Sequence, residues 1–339
     1  MRVLLLAPFN FTNASAQWLF HSYSNVELTI LGFEASTTTP LRWSFALIKQ
    51  TIKAFSIYRR YEVVFSWGLA NLLPLAFVHF FLHRNSPRFV GIDVAANRMR
   101  PGLTRILKVA VKPINAIICF TTAQKDWWTR SVGYPRAVFI HLGHLGHAYA
   151  FEAEDGDYIF SGGRIARDYQ TLLRATAELS QRIILVVGND PLTGKTGLEQ
   201  TAPSKNVEIY CNIPEDRYLE LMSRARLVVL TLQDTQYAAG QMVLLDALAM
   251  GKPVIVTKTV GTVDYVEDGK TGLLVEPGNV LQLKEKIVLL TNNPELRKTL
   301  GKNAKIIWQE KFTGNVLRQK ITNVLLSREP LDQHATVIR

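Results

Sequence analysis

The chain is poor in cysteine, with two in 339 residues, Cys119 and Cys211, far apart in sequence. Neither a disulfide framework nor a cysteine-rich metal site can be built from them, and a reducing compartment fits. Long apolar runs are scarce too. The opening segment, Met1 to Pro8, is cut short by its proline and lacks a small-residue cleavage site, so it reads as a first buried strand and not as a signal peptide. Trp67–Leu82 is apolar apart from Asn71 and His79, but it contains Pro74 and has 16 residues. A spanning helix needs roughly 20, so a buried helix is expected. No internal repeat and no low-complexity tract is present. Acidic residues are sparse in the first half. Residues 1–150 hold 5 Asp+Glu against 16 Lys+Arg, while the remainder holds 23 of each, so the whole formal charge of +11 lies in the first half. A one-sided basic surface attracts polyanions. No module for DNA or RNA is recognisable, so nucleic acid is not an expected partner.

What is present is an alternation of short aliphatic runs with longer amphipathic stretches, the pattern of parallel sheets wrapped by helices. Strands are expected at Val3–Leu6, Glu27–Leu31, Val63–Ser66, Phe89–Ile92, Ala116–Cys119 and Ala137–Ile140. Helices are expected between them near Ala14–Tyr23, Leu41–Arg60, Leu69–Leu82, Leu103–Val111 and Ala123–Ser131. Periodicity is lost over 141–157, where a linker is expected. A second series follows, with strands at Tyr158–Phe160, Arg182–Val187, Val207–Tyr210, Leu227–Thr231, Val254–Val256 and Gly272–Leu274. Its helices are expected at Asp168–Leu179, Asp216–Ser223, Gln241–Met250 and Val280–Thr291, with two more over Leu296–Leu326 and a frayed end over 330–339. The expected fold class is α/β: two Rossmann-like domains with parallel sheets facing a central cleft. The first is expected over 1–145, the second over 150–312, and a C-terminal helix over 313–330 is expected to return to the first. Ligands of such folds bind beyond the carboxyl ends of the strands.

Two loops after strands carry candidate chemistry. Ser161-Gly162-Gly163-Arg164 follows the first strand of the second series, with Arg167 and Asp168 three residues on. Glycines let backbone amides approach an anion, and arginines bind phosphate through paired hydrogen bonds. The alternative is a tight turn with surface arginines and Asp168 as a helix cap. The second loop runs Tyr237-Ala-Ala-Gly240-Gln241-Met242-Val243 and opens a helix that ends at Gly251. Free amides at a helix start favour a diphosphate. Asp246 lies in that helix between apolar neighbours and needs a partner: either a ribose diol, or a neighbouring amide or arginine. His141, His144 and His147 recur every three residues, but with glycines between them and in the expected hinge they are not read as a metal site.

The second half resembles the retaining GT-B glycosyltransferases of family 4 (glycosyl transferases group 1). Asp246-Ala-Leu-Ala-Met-Gly-Lys-Pro-Val-Ile255 is similar to the end of that family's donor motif. Gly162-Gly163-Arg164, Leu185-Val-Val-Gly188, Tyr218 to Leu230, and Gly261 with Glu267 to Val275 also resemble it, over about 158–312. The resemblance implies that Arg164, helped by Arg167, holds a diphosphate. It implies that the amides of Gly240, Gln241, Met242 and Val243 face the phosphate and sugar, that Asp246 takes the ribose hydroxyls, and that Asn212 lies near the base, with Gly162, Gly163 and Gly188 shaping the site. It also implies a hexosyl transfer from a UDP- or GDP-sugar, with retention and without a cofactor; no metal-binding Asp-x-Asp motif is recognised, so metal-independent action is expected.

The chain departs from the family at two places. Ala238 stands where the first glutamate of the motif belongs, and Ile92-Asp93 where a histidine ends the fourth strand. Asp93 takes that histidine's catalytic role or caps the next helix; Gln241 is a substitute for the glutamate. The expected partners are a nucleotide-sugar donor and a glycan or lipid-linked acceptor. The basic, aromatic-rich segment Leu41–Arg60 suits an anionic membrane surface, or else is a core-facing helix with a solvated cationic side. The expected location is the cytoplasm, peripheral at the inner membrane face. Two rival functions stand beside this one: a nucleotide-sugar epimerase, and a non-catalytic sugar-nucleotide or membrane-binding relative.

Overall fold

The computed structural model describes residues 1–7, 18–20, 26–32, 40–82, 87–93, 104–144, 148–189, 194, 196–198 and 204–327. The chain divides into two compact units, one of residues 1–140 with 318–339 and one of residues 141–317. The first break in sequence periodicity thus coincides with the end of the first unit. The expected frayed end over 330–339 and most of the helix near Ala14–Tyr23 lie outside the described residues, of which 18–20 are helical.

The first unit holds a six-stranded parallel sheet of order β2-β1-β3-β4-β5-β6. Its strands are β1 (Arg2–Leu6), β2 (Glu27–Leu31), β3 (Val63–Ser66), β4 (Arg88–Asp93), β5 (Ile114–Cys119) and β6 (Ala137–Phe139). The inner strands read as unbroken apolar runs because both faces of a parallel sheet are covered. Its helices are α1 (Pro40–Ile57), α2 (Leu69–Leu82), α3 (Thr104–Ala110) and α4 (Thr122–Asp126). Ala54, Leu72, Leu107 and Trp128 from or beside these helices share one core with Leu4, Val64, Phe89 and Ile117 of the sheet. All four therefore cover one face, as right-handed crossovers in one direction require. α4 opens with a reciprocal cap between Thr121 and Gln124, then widens into a π-helical turn over Trp127–Val132. The helix expected over Ala123–Ser131 is therefore two geometries, and the wide turn carries fully buried Trp128.

The second unit repeats the plan with order β12-β11-β10-β7-β8-β9. Its strands are β7 (Tyr158–Gly163), β8 (Arg182–Val187), β9 (Val207–Cys211), β10 (Leu227–Leu230), β11 (Val254–Thr257) and β12 (Leu273–Val275). Its helices are α5 (Tyr169–Thr176), α6 (Glu215–Ser223), α7 (Gln241–Met250), α8 (Val280–Asn292) and α9 (Pro294–Ile307). Asp168, Asn279 and Asn293 cap α5, α8 and α9 with side-chain oxygens, supplying acceptors for amides that have no helical partner. The last helix, α10 (Gly314–Leu326), begins in the second unit and from Arg318 belongs to the first. There Arg318 reaches the Trp18 carbonyl at 3.5 Å and Arg88 the Val324 carbonyl at 3.4 Å.

The strand order places a switch point in the second sheet. From β7 the chain moves one way to β8 and β9, then returns to the other side of β7 for β10. The loops leaving β7 and β10 therefore diverge around a crevice at the carboxyl ends of the strands, the ligand position of open α/β sheets. These are the two loops that the sequence singled out.

Candidate functional site

The β7 loop is held from both sides. The amide of Asp168 donates to the Thr231 carbonyl at 3.1 Å and that of Gln233 to the Ala166 carbonyl at 2.9 Å, which ties this loop to the one after β10. The Gly188 amide reaches the Gly163 carbonyl at 3.3 Å and that of Asn212 reaches Val187 at 3.0 Å, which adds the ends of β8 and β9. Asn212 is exposed and adopts a left-handed conformation, φ 50°.

The two arginines have different surroundings. Arg164 is exposed, and its methylene chain lies over Gly188, where a side chain would occupy the same space. Arg167 is buried; its Nε donates to the Gly162 carbonyl at 2.9 Å and its Nη1 to the Ile165 carbonyl at 2.8 Å. Its guanidinium covers Gly163, whose φ of 124° and missing Cβ make room for it. Burial lowers the Arg167 pKa, with Tyr169 and Tyr218 opposing. The charge this loop offers to an external anion is therefore that of Arg164, while Arg167 staples the loop to itself.

α7 begins at Gly240, whose φ of 83° suits only glycine without strain, and whose Cβ would lie 2.8 Å from Leu232. No side chain caps it. The first intrahelical bond is Leu244 to Gly240 at 3.0 Å, so the amides of Met242 and Val243 have no helical carbonyl to meet. Gln241 is buried and contributes a hydrogen bond to Tyr265, whereas Met242 is exposed. The loop after β11 presses on this start: a Cβ at Gly261 would stand 2.6 Å from the Ala239 carbonyl oxygen.

Asp246 has an unforeseen partner. His144 Nε2 lies 2.6 Å from its Oδ1. His144 is buried; its amide donates to the Phe312 carbonyl at 2.7 Å, and its ring meets Trp308 edge-on. Its Nδ1 is buried without a hydrogen-bond partner among the described residues. A hydrogen bond to a carboxylate oxygen needs a proton on Nε2, so His144 is the donor and Asp246 the acceptor. Beneath these groups Tyr218 packs on Gly162 and Phe160. Burial first, and then Asp246, push its phenol pKa far up. The hydroxyls of Ser161, Tyr218 and Thr231 are buried and without partners among the described residues. Nothing in the sequence marked Tyr218 except its place inside the matching segment.

Asp93 ends β4 and is buried, accepting a 2.7 Å bond from Trp128 Nε1. The next described helix, α3, starts only at Thr104, so Asp93 does not stand at its start. Of the three histidines, His141 bonds the Asp264 carbonyl at 3.0 Å, His144 pairs with Asp246, and His147 is outside the described residues. Among the described residues no cluster of three metal-type ligands occurs. The sequence holds one Asp-x-Asp, Asp155-Gly-Asp157, and it precedes β7 at the opposite end of the strand from the glycine loop. Arg297 grips Asp155 there at 2.6 and 3.0 Å.

Residues 149–306 match the family described as glycosyl transferases group 1. An uncharacterised glycosyltransferase of Methanocaldococcus jannaschii is 53% identical over 64 residues, 19% of this chain and 18% of that protein. The alpha-D-kanosaminyltransferase of Streptomyces kanamyceticus is 23% identical over 243 residues, 63% of this chain and 61% of that protein. The chain thus spans less than two thirds of either relative. Among solved structures, Anabaena HepE in complex with UDP and glucose aligns over 96% of this chain and 99% of its own, with TM-score 0.72 and 17% identity. The match to the glycosyl transferases group 1 family thus falls within the second unit, and the α/β fold of two parallel six-stranded sheets is of the GT-B kind.

Proposed function

We propose that the protein is a glycosyltransferase that moves a hexosyl unit from a UDP- or GDP-sugar to an acceptor hydroxyl. The observation that carries this reading is the pairing of an exposed arginine, Arg164, with the uncapped start of α7 on the two loops that straddle the β7–β10 switch point. Positive charge on one loop and amides without helical partners on the other are the groups that bind a diphosphate. As the sugar leaves, charge grows on that diphosphate, and groups already aimed at it stabilise the transition state without reorganising. Asp246 Oδ2 accepts from the ribose hydroxyls while His144 holds Oδ1. Asn212 and Gly188 border the base. Asp93, turned onto Trp128, has no direct part in this reading. The names of the M. jannaschii and S. kanamyceticus relatives support glycosyl transfer, and the UDP- and glucose-bound neighbour supports a sugar nucleotide as donor. Retention rests on the family resemblance, metal independence on the lack of an Asp-x-Asp motif beside the glycine loop, and a lipid-linked or anionic glycan acceptor on the basic first half.

The test is thermal stabilisation by UDP, GDP, ADP and CMP and their sugars, followed by transfer assays with the donor that binds. Ligand at about 100 times its Kd adds about 2.7 kcal/mol, which is readily seen as a shift in Tm. No shift with any nucleotide would end the proposal. A non-catalytic relative is favoured by one observation, Ala238 in the place of the motif's first glutamate; nucleotide binding without turnover on any donor would select it.

A further inference from the structure

The first unit presents an apolar outer face that its own core does not use. α2 has no charged residue in its 14 positions. Leu69, Leu72, Leu75, Ala76 and His79 turn inward and are buried, while Phe77, Val78, Phe80 and Phe81 are exposed on the other side. A helix apolar all round is expected to be covered all round. Its neighbours continue the face. α1 exposes Phe45 at 65%, Ile48 at 55% and Ile52 at 67%, three residues on one helical stripe, and α3 exposes Ile106 at 60%. α1, α2 and α3 lie on the same side of the sheet and share its core. Exposed apolar groups this dense mark an interaction surface.

Charge specifies the occupant. None of α1, α2 and α3 contains an acidic residue. Lys49, Lys53, Arg105 and Lys108 are exposed on them, with Arg59, Arg60 and Lys112 at their ends, and Lys112 Nζ stands 5.7 Å over the Phe80 ring. Two described acids of the first unit are engaged elsewhere, Glu62 by the Arg2 amide at 2.6 Å and Asp93 by Trp128. Nucleic acid would use the cations and leave the phenylalanines in water. A protein copy would bring the same positive charge to the contact. A bilayer with anionic headgroups satisfies both sets. No described helix is long and apolar enough to cross it, and α2 at about 21 Å is shorter than a hydrocarbon core of about 30 Å.

We propose that the outer face of α1, α2 and α3 binds an anionic lipid surface. Phe45, Ile48, Ile52, Phe77, Phe81 and Ile106 enter the boundary between headgroups and acyl chains, and the lysines and arginines meet the lipid phosphates, the arrangement of an in-plane amphipathic anchor. This goes beyond the donor-site reading and does not depend on it, since no nucleotide takes part.

The full chain is sedimented with vesicles of phosphatidylcholine alone and of phosphatidylcholine with phosphatidylglycerol, at low and high salt. Binding is expected only with phosphatidylglycerol, weaker at high salt. Lys49→Glu with Lys53→Glu should weaken it by more than about fivefold per lysine, the effect of losing one cation near a charged leaflet. Ile52→Ser with Phe81→Ser should weaken it as well, with circular dichroism and Tm unchanged because both side chains are exposed. Failure to bind phosphatidylglycerol vesicles at low salt would overturn the proposal, as would binding indifferent to both pairs. So would light scattering that shows a dimer which Ile52→Ser with Phe81→Ser dissolves, because a second copy would then cover the face.

Discussion

His144 Nε2 and Asp246 Oδ1 stand 2.6 Å apart, joining residues separated by 102 positions of chain. The carboxylate is thereby fixed in rotamer and left with one oxygen for a ligand. A hydrogen bond to a charged group is worth about 1.5–3 kcal/mol. His144→Ala should weaken UDP binding about tenfold or more, and His144→Gln should restore most of it. The loss acts through the ribose, so 2′,3′-dideoxy-UDP should bind the wild type and His144→Ala alike in calorimetric titration. Equal losses for both nucleotides would show that His144 supports the helix and not the ribose contact.

Arg164 and Arg167 should separate function from stability. Arg164→Ala removes an exposed charge and should weaken nucleoside diphosphate binding by about tenfold or more with Tm unchanged. Arg167→Met strands the carbonyls of Gly162 and Ile165 and should cost about 2 kcal/mol of stability. Denaturant unfolding with parallel UDP titration distinguishes the two; the reverse pattern would exchange their roles.

Lys252 is fully buried, with Nζ donating to the carbonyls of Glu154, Ser223 and Ala225. The Ser223 carbonyl closes α6, where a cation complements the helix dipole. Lys252→Met keeps the stem and removes every donor. A loss of about 3 kcal/mol is expected from the orphaned acceptors, read from the urea midpoint. A change within about 0.5 kcal/mol, the ordinary scatter of surface sites, would mean the carbonyls find other donors.

His79 supplies a pH dependence. Burial first, and the nearby Arg59 second, hold its pKa below the usual 6.5. Tyr58 Oη lies 2.9 Å from its Nδ1. As pH falls through the unfolded value the unfolded chain takes up a proton that the folded chain resists, so the unfolded state binds more protons and stability falls; the loss levels off below the folded value. Unfolding midpoints measured between about pH 7 and about pH 5 should decline less in His79→Gln than in the wild type. Parallel curves would remove His79 as a source of acid sensitivity.

Much of the fold was legible in the chain because strand and helix leave local signatures. Leu69–Leu82 and Gln241–Met250 are helices at the expected bounds, and Arg182–Val187 a strand, since continuous apolar runs and helical spacing record burial directly. α4 was legible as a helix but not as a widened one. Its π turn carries Trp128, which bonds Asp93 across 35 residues, a contact that no local pattern records.

The site divides along the same line. The sequence alone determined where the glycines, the arginines and Asp246 fall relative to strand ends, because backbone approach and helix starts are local matters. Only the tertiary structure decided what each group does. It brought His144 to Asp246 and Lys252 to three carbonyls. It buried Arg167 while leaving its near neighbour Arg164 in solvent. Residue type and spacing fix which interactions a side chain can make. Which of them it makes depends on desolvation and on partners that chain folding draws from far along the sequence.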